Sequence, residues 1–140
     1  MKPRAVIVER AAHRRLRMVD ALRGEYQVES IEMLDGFVRA VRAIRPEFVL
    51  VGIGRRVQRS TRAAHQIKTD GAHPPLVGLM DWDGRLADPC STAKEVLADG
   101  VFSGEPAAED LQVFLSSLGQ EEIVLMGVRT PSFLDRIFRR

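Results

Sequence analysis

Cysteine is almost absent: Cys90 is the only one in 140 residues, which excludes a disulfide framework and any cysteine-rich zinc site. Aromatic residues are few, with one Trp and one Tyr beside six Phe. Lysine supplies only 3 of the 21 cations. Arginine suits phosphate or carboxylate recognition, but genomic base composition explains such a bias equally well and is the preferred reading. No apolar run approaches the ~18 residues that cross a bilayer, so a transmembrane helix is excluded. The opening Met1-Lys2-Pro3-Arg4 lacks the apolar stretch and small-residue cleavage site of a secretory leader. A cytoplasmic protein is expected.

What is present suits one ordinary globular domain. Hydrophobic residues make up 45% and charged residues 29%, enough apolar material for a core and too much for disorder. The net charge is +2, unevenly placed. Residues 1–70 carry fifteen basic and eight acidic side chains, residues 71–140 six basic and eleven acidic.

Short apolar runs alternate with helical segments, the pattern of a parallel α/β sheet. The runs are Ala5-Val6-Ile7-Val8, Tyr26 to Ser30, Phe48-Val49-Leu50-Val51, Leu76 to Met80 and Val101-Phe102-Ser103. A first helix over Ala11 to Arg23 has Leu16, Val19 and Leu22 on one face, Arg14, Arg15 and Arg17 largely elsewhere, and Gly24 to end it. A second carries Met33, Leu34, Phe37, Val38, Val41 and Ile44 and stops before Pro46. Val57 to Lys68 is a basic third helix, Ser91 to Ala98 a fourth, and a fifth opens at Glu105-Pro106 with Leu111, Phe114 and Leu118 inward. Right-handed crossovers then give a five-stranded doubly wound sheet with a helical layer on each face.

Five such units close near Gly119, so 1–119 is expected as the domain and 120–140 as a C-terminal extension. The extension holds the apolar run Glu122 to Met126 and a short helix from Ser132 to Arg140, whose stripe is Phe133, Leu134, Ile137 and Phe138. These four are the candidate interaction helix.

Several stretches in this order resemble the receiver domain of bacterial two-component response regulators. They are Val6-Ile7-Val8-Glu9-Arg10, Asp35-Gly36, Arg45-Pro46-Glu47-Phe48-Val49-Leu50-Val51 and Ala98-Asp99-Gly100-Val101-Phe102-Ser103-Gly104-Glu105-Pro106. The resemblance covers about the first 118 residues and implies a flavodoxin-like strand order 2-1-3-4-5. It also implies five functional positions: an acidic pair holding Mg²⁺, a nucleophilic Asp ending the third strand, a Ser or Thr ending the fourth, and a Lys after the fifth. Carried over, these become Glu9 and Arg10, Gly52, Met80 and Glu105, and only Glu9 keeps its chemical type. Glycine has no nucleophile, a thioether is no hydroxyl donor, and a carboxylate repels a phosphoryl group. The resemblance therefore implies a degenerate receiver, or pseudo-receiver. With the signs at Arg10 and Glu105 reversed, a charge-swapped ion pair between them, shared by Glu9, is expected across the vacated site.

Other chemistry is weighed against plainer readings. Asp81, Asp83 and Asp88, with Glu9, have the oxygen chemistry of a cation site, but an acidic loop with helix caps is preferred. His13, His65 and His73 lack ligand spacing, and Cys90 is read as packing at a helix start. Gly52-Ile53-Gly54 followed by Arg55, Arg56 and Arg59 offers an anion cradle without the full glycine fingerprint. No catalytic residue, metal or cofactor is expected. The leading expectation is a phosphorylation-independent signalling module that binds proteins, with homodimerisation through the fourth helix, fifth strand and fifth helix (roughly 91–118). The alternative is a nucleotide or cyclic-dinucleotide sensor at Arg55, Arg56 and Arg59. Nucleic-acid binding ranks lowest, since no helix-turn-helix remains.

Overall fold

The structure is a computed structural model and describes residues 1–32, 36–120 and 122–127. Its elements are β1 (Arg4–Val8), α1 (Ala12–Leu22), β2 (Gln27–Ile31), α2 (Phe37–Ile44), β3 (Phe48–Gly52), α3 (Val57–Thr69), β4 (Leu76–Asp81), α4 (Pro89–Val96), β5 (Gly100–Ser103), α5 (Ala108–Ser117) and β6 (Val124–Gly127). The candidate interaction residues Phe133, Leu134, Ile137 and Phe138 lie outside the described residues, as does Asp35 of the second-helix resemblance.

The strands form one parallel sheet in the order β2-β1-β3-β4-β5-β6. The central strands are apolar throughout because both faces are covered: Val49, Leu50, Val51, Val77 and Leu79 are fully buried. One face packs against α2, α3 and α4, the other against α1 and α5. The carboxyl ends of β1, β3 and β4 align, with Gly52 opposite Met80 and Met80 opposite Phe102.

Two expectations are corrected here. The sheet has six strands, not five: the apolar run of the extension adds to the outer edge of β5, Val124 pairing with Gly100 and Gly127 with Ser103. An isolated apolar strand gains both ladder hydrogen bonds and a covered face by joining an existing edge. In consequence β5 is paired on both sides, and the expected dimer surface of α4, β5 and α5 does not expose a strand edge at β5. The second correction concerns caps. The α1 helix ends at Leu22 with Arg23 as a right-handed C-cap, so Gly24 stands just past the end as expected but without a positive φ. The α4 helix begins at Pro89, capped by the Asp88 carboxylate, which accepts from Ser91 N–H at 3.1 Å. Proline at the first helical position after an Asp cap is a favoured start.

Candidate functional site

The site sits at the carboxyl ends of β1, β3 and β4, where a doubly wound sheet presents ligands. Glu9 follows β1 and is buried, 7% exposed. Its Oε2 accepts the Ala11 N–H at 2.9 Å. The other end of the carboxylate lies over Gly52: a Cβ there would come within 2.8 Å of the Glu9 carboxyl carbon. Glu9 thus occupies the space that a side chain at position 52 would need. Met80, beside Gly52 in register, is fully buried and packs in the core between the sheet and α1 and α5. It serves the core, not the site.

Above this floor two arginines of α1 enclose the sole tryptophan. The Arg14 guanidinium carbon lies 5.2 Å from the Trp82 ring centroid, that of Arg17 5.6 Å, within cation–π range. Arg14 also holds Asp83 through two hydrogen bonds, at 2.7 and 3.1 Å, while Arg17 pairs with Glu105. One helix therefore fastens both the β4–α4 loop, through Asp83, and the β5–α5 loop, through Glu105. The indole N–H is buried without a hydrogen-bond partner among the described residues, an arrangement that costs about 1–3 kcal/mol. Beside the cluster, a groove of about 280 Å³ runs between α1 and α5, lined by Ala21, Trp82, Pro106 and Leu111, with Arg17 and Asp20 on its walls.

The acidic loop residues each have a structural task. Asp81 is buried, and its two oxygens accept the N–H groups of Arg85 and Leu86 at 2.8 and 2.9 Å. Asp83 holds Arg14 and Asp88 caps α4. Among the described residues no three His, Cys, Asp or Glu side chains gather as a cation site. At the exit of β3, Ile53 is buried and the Gly54 N–H donates to the Ser60 hydroxyl at 3.1 Å. That donor is thereby removed from an anion cradle. Arg55, Arg56 and Arg59 are exposed around it.

No family model and no curated protein matches the chain. Solved structures do. The N-terminal domain of the nisin resistance regulator NsrR, a lantibiotic response regulator, superposes with a TM-score of 0.72 at 14% identity, over 84% of this chain and 98% of that one. The chemotaxis response regulator CheY4 of Vibrio cholerae gives 0.72 at 13% identity, over 83% and 98%. The signal receiver domain of a modulated diguanylate cyclase from Desulfovibrio desulfuricans G20 gives 0.70 at 19% identity, over 84% and 94%. The fold is that of a response-regulator receiver domain.

On this receiver fold the expected charge-swapped pair is not the one that forms. Arg10 is exposed and makes no ion pair with the described residues, and Glu105 is taken by Arg17 instead. Position 10 lies in the loop ahead of α1, whereas Arg17 projects from the helix toward the β5–α5 loop. Sequence reading assigned Arg14 and Arg17 no role. The available signal was a lone tryptophan between two aspartates directly after β4, with two arginines at i, i+3 on α1.

Hydrogen bonding to Arg14 holds the Asp83 carboxyl below the usual carboxylate range, and Arg85 adds to this. A depressed folded-state pKa means the contact is complete above the unfolded value of ~3.9 and is lost as pH falls through the lower folded value. Trp82 emission should therefore hold steady from pH 8 to about 4.5 and change below ~4. In Asp83→Asn the change should already be present at neutral pH. An identical acid limb in the variant and the wild type would show that Asp83 does not hold the loop.

Proposed function

We propose that the chain is a phosphorylation-independent signalling module that acts by binding other proteins, without enzymatic activity or cofactor. One observation carries the reading: β3 ends in Gly52, and the buried carboxylate of Glu9 lies over it. A position with no side chain supplies no oxygen to attack phosphorus. Phosphoryl transfer also needs positive charge around the transferred group, and here Arg14 and Arg17 are engaged by Asp83 and Glu105. The same two ion pairs fasten the loops that flank the site, which suits a module whose interaction surface is set without a covalent switch. Among the described residues no helix is long and apolar enough to cross a membrane, in keeping with the proposed cytoplasmic setting. The rival sensor reading at Arg55, Arg56 and Arg59 draws no support from Gly54, whose N–H is already bonded.

Incubation with a small phosphodonor and Mg²⁺, followed by intact-mass spectrometry, should leave the protein unmodified. A stable phosphoryl adduct on Asp81 or Asp83 would overturn the proposal.

A further inference from the structure

Cations gather on one face of the fold. Residues 36–70 carry eight basic and two acidic side chains, a surplus of six in a chain whose net charge is +2. They build α2, β3, the β3–α3 loop and α3, and the two helices lie side by side on the same face of the sheet. Arg39 on α2, Arg55 and Arg56 ahead of α3, and Arg59 and Arg62 on α3 are exposed. Among the described residues Arg39, Arg55, Arg56 and Arg62 enter no ion pair. The two carboxylates do not offset them. Asp70 is held by Arg42, and Glu47 precedes β3, at the other end of the strand from the β3–α3 loop.

We propose that this α2–α3 face binds the phosphate backbone of a nucleic-acid duplex without reading its sequence. The chemistry of the face selects that partner. Among the described residues no exposed large apolar side chain lies on α2 or α3, whereas a protein interface needs an apolar core. Protein binding therefore falls to other faces of the domain. The same lack removes the aromatic platform on which single strands stack.

A duplex backbone asks only for cations and polar donors, and its affinity comes from the counterions that those cations displace. Arginine adds a planar fork that grips a phosphate through two hydrogen bonds. The dimensions suit a duplex: the thirteen residues of α3 span about 20 Å, over which a duplex presents about a dozen phosphate charges. The missing helix-turn-helix bears on base readout in the major groove, not on backbone contact. An anionic membrane or an acidic protein surface are the other occupants to be distinguished.

Fluorescence anisotropy of a labelled DNA duplex, with the full chain as titrant, tests the assignment. Four phosphate contacts predict that affinity falls on the order of a hundredfold between about 50 and 200 mM salt, a log–log slope of about −3.6. Arg56→Glu combined with Arg62→Glu should weaken binding at least ~tenfold and bring the slope to about −2. Lys2→Glu combined with Arg23→Glu makes the same change in net charge at exposed positions elsewhere, and should stay within about threefold of wild type, since salt screens distant charges. All four positions are exposed, so the urea midpoints should agree. A second duplex of unrelated sequence should bind equally well. Equal losses in the two double variants, or a marked preference between the duplexes, would overturn the assignment. So would binding to phosphatidylserine-rich vesicles without binding to the duplex, which would give the face to a membrane. A glutamate-rich peptide of matched charge that competes as well as the duplex would give it to an acidic protein. None of these outcomes bears on phosphorylation, so this inference and the proposed function fail separately.

Discussion

Phe114→Ala is expected to cost about 3–5 kcal/mol of stability, the largest single loss anticipated in this fold. The Phe114 ring is fully buried and lies against two glycines that face each other across neighbouring strands, Gly78 of β4 and Gly100 of β5. A Cβ at 78 would stand 2.6 Å from Phe114 Cε2, and one at 100 would stand 3.0 Å from Cε1. The glycine pair is a notch in the sheet, and the ring is the knob that fills it. Phe102 closes one side at a centroid distance of 5.7 Å and an interplanar angle of 79°, the edge-to-face arrangement that aromatic pairs favour. Removing the ring therefore opens a cavity that rigid strands cannot collapse into. Conversely, Gly78→Ala should cost about 1–3 kcal/mol by overpacking while the ring is present. In the Phe114→Ala background the cost should shrink to what the Leu50 side chain must yield, its Cδ2 being 3.0 Å from the same Cβ, because the methyl otherwise enters the space the ring has left. Urea unfolding of the four proteins measures the coupling, and additive losses would show that the notch does not seat the ring.

That notch illustrates what one sequence can and cannot convey. Phe48 to Val51 reads as a buried strand because a strand covered on both faces needs apolar residues at every position. The notch needs the register Gly78 opposite Gly100, which no local pattern contains. The run Ile123 to Met126 is legible as a strand, but its place is not: joining β5 depends on a free edge that exists only once the sheet is assembled. Helix ends show local preference losing to context. Arg45 and Leu97 take left-handed conformations, φ 54° and 63°, where glycine is the usual choice. Each cap N–H is satisfied by its own helix, Arg45 by the Val41 carbonyl and Leu97 by those of Ala93 and Lys94. At the site, the resemblance points to Glu9 and Gly52, while the contact between them is not legible in the sequence. The Arg14–Trp82–Arg17 cluster was invisible for the same reason: its members come from α1 and a loop 60-odd residues away, and only the packing of α1 beside α5 brings them together.

Gly52→Asp, which restores the acidic residue type that the receiver resemblance implies at the end of β3, is expected to remain unphosphorylated and to lose on the order of 3 kcal/mol. The new Cβ would contact the Glu9 carboxylate, whose carboxyl carbon is 2.8 Å away. Glu9 must then swing aside and surrender the Ala11 N–H that it now accepts. Two carboxylates would also share one buried pocket, and like charges at such a distance raise a pKa. A raised folded-state carboxyl pKa destabilises progressively as pH climbs past the unfolded value, so the variant should come closest to wild type near pH 4–5 and fare worst above ~7. Gly52→Asn separates the two causes: it keeps the collision and removes the added charge, so its deficit should be smaller and nearly independent of pH. Glu9→Gln combined with Gly52→Asp should relieve the repulsion and flatten the profile likewise. Even with a nucleophile in place, the positions that the resemblance gives to the second acid and to the lysine hold Arg10 and Glu105, so on that correspondence neither Mg²⁺ nor the transferred phosphoryl group meets the charge it needs. Chemical denaturation across pH and intact-mass analysis after phosphodonor treatment check the two halves. A variant as stable as the wild type at pH 7 that accepts a phosphoryl group would mean that Glu9 does not fill the site.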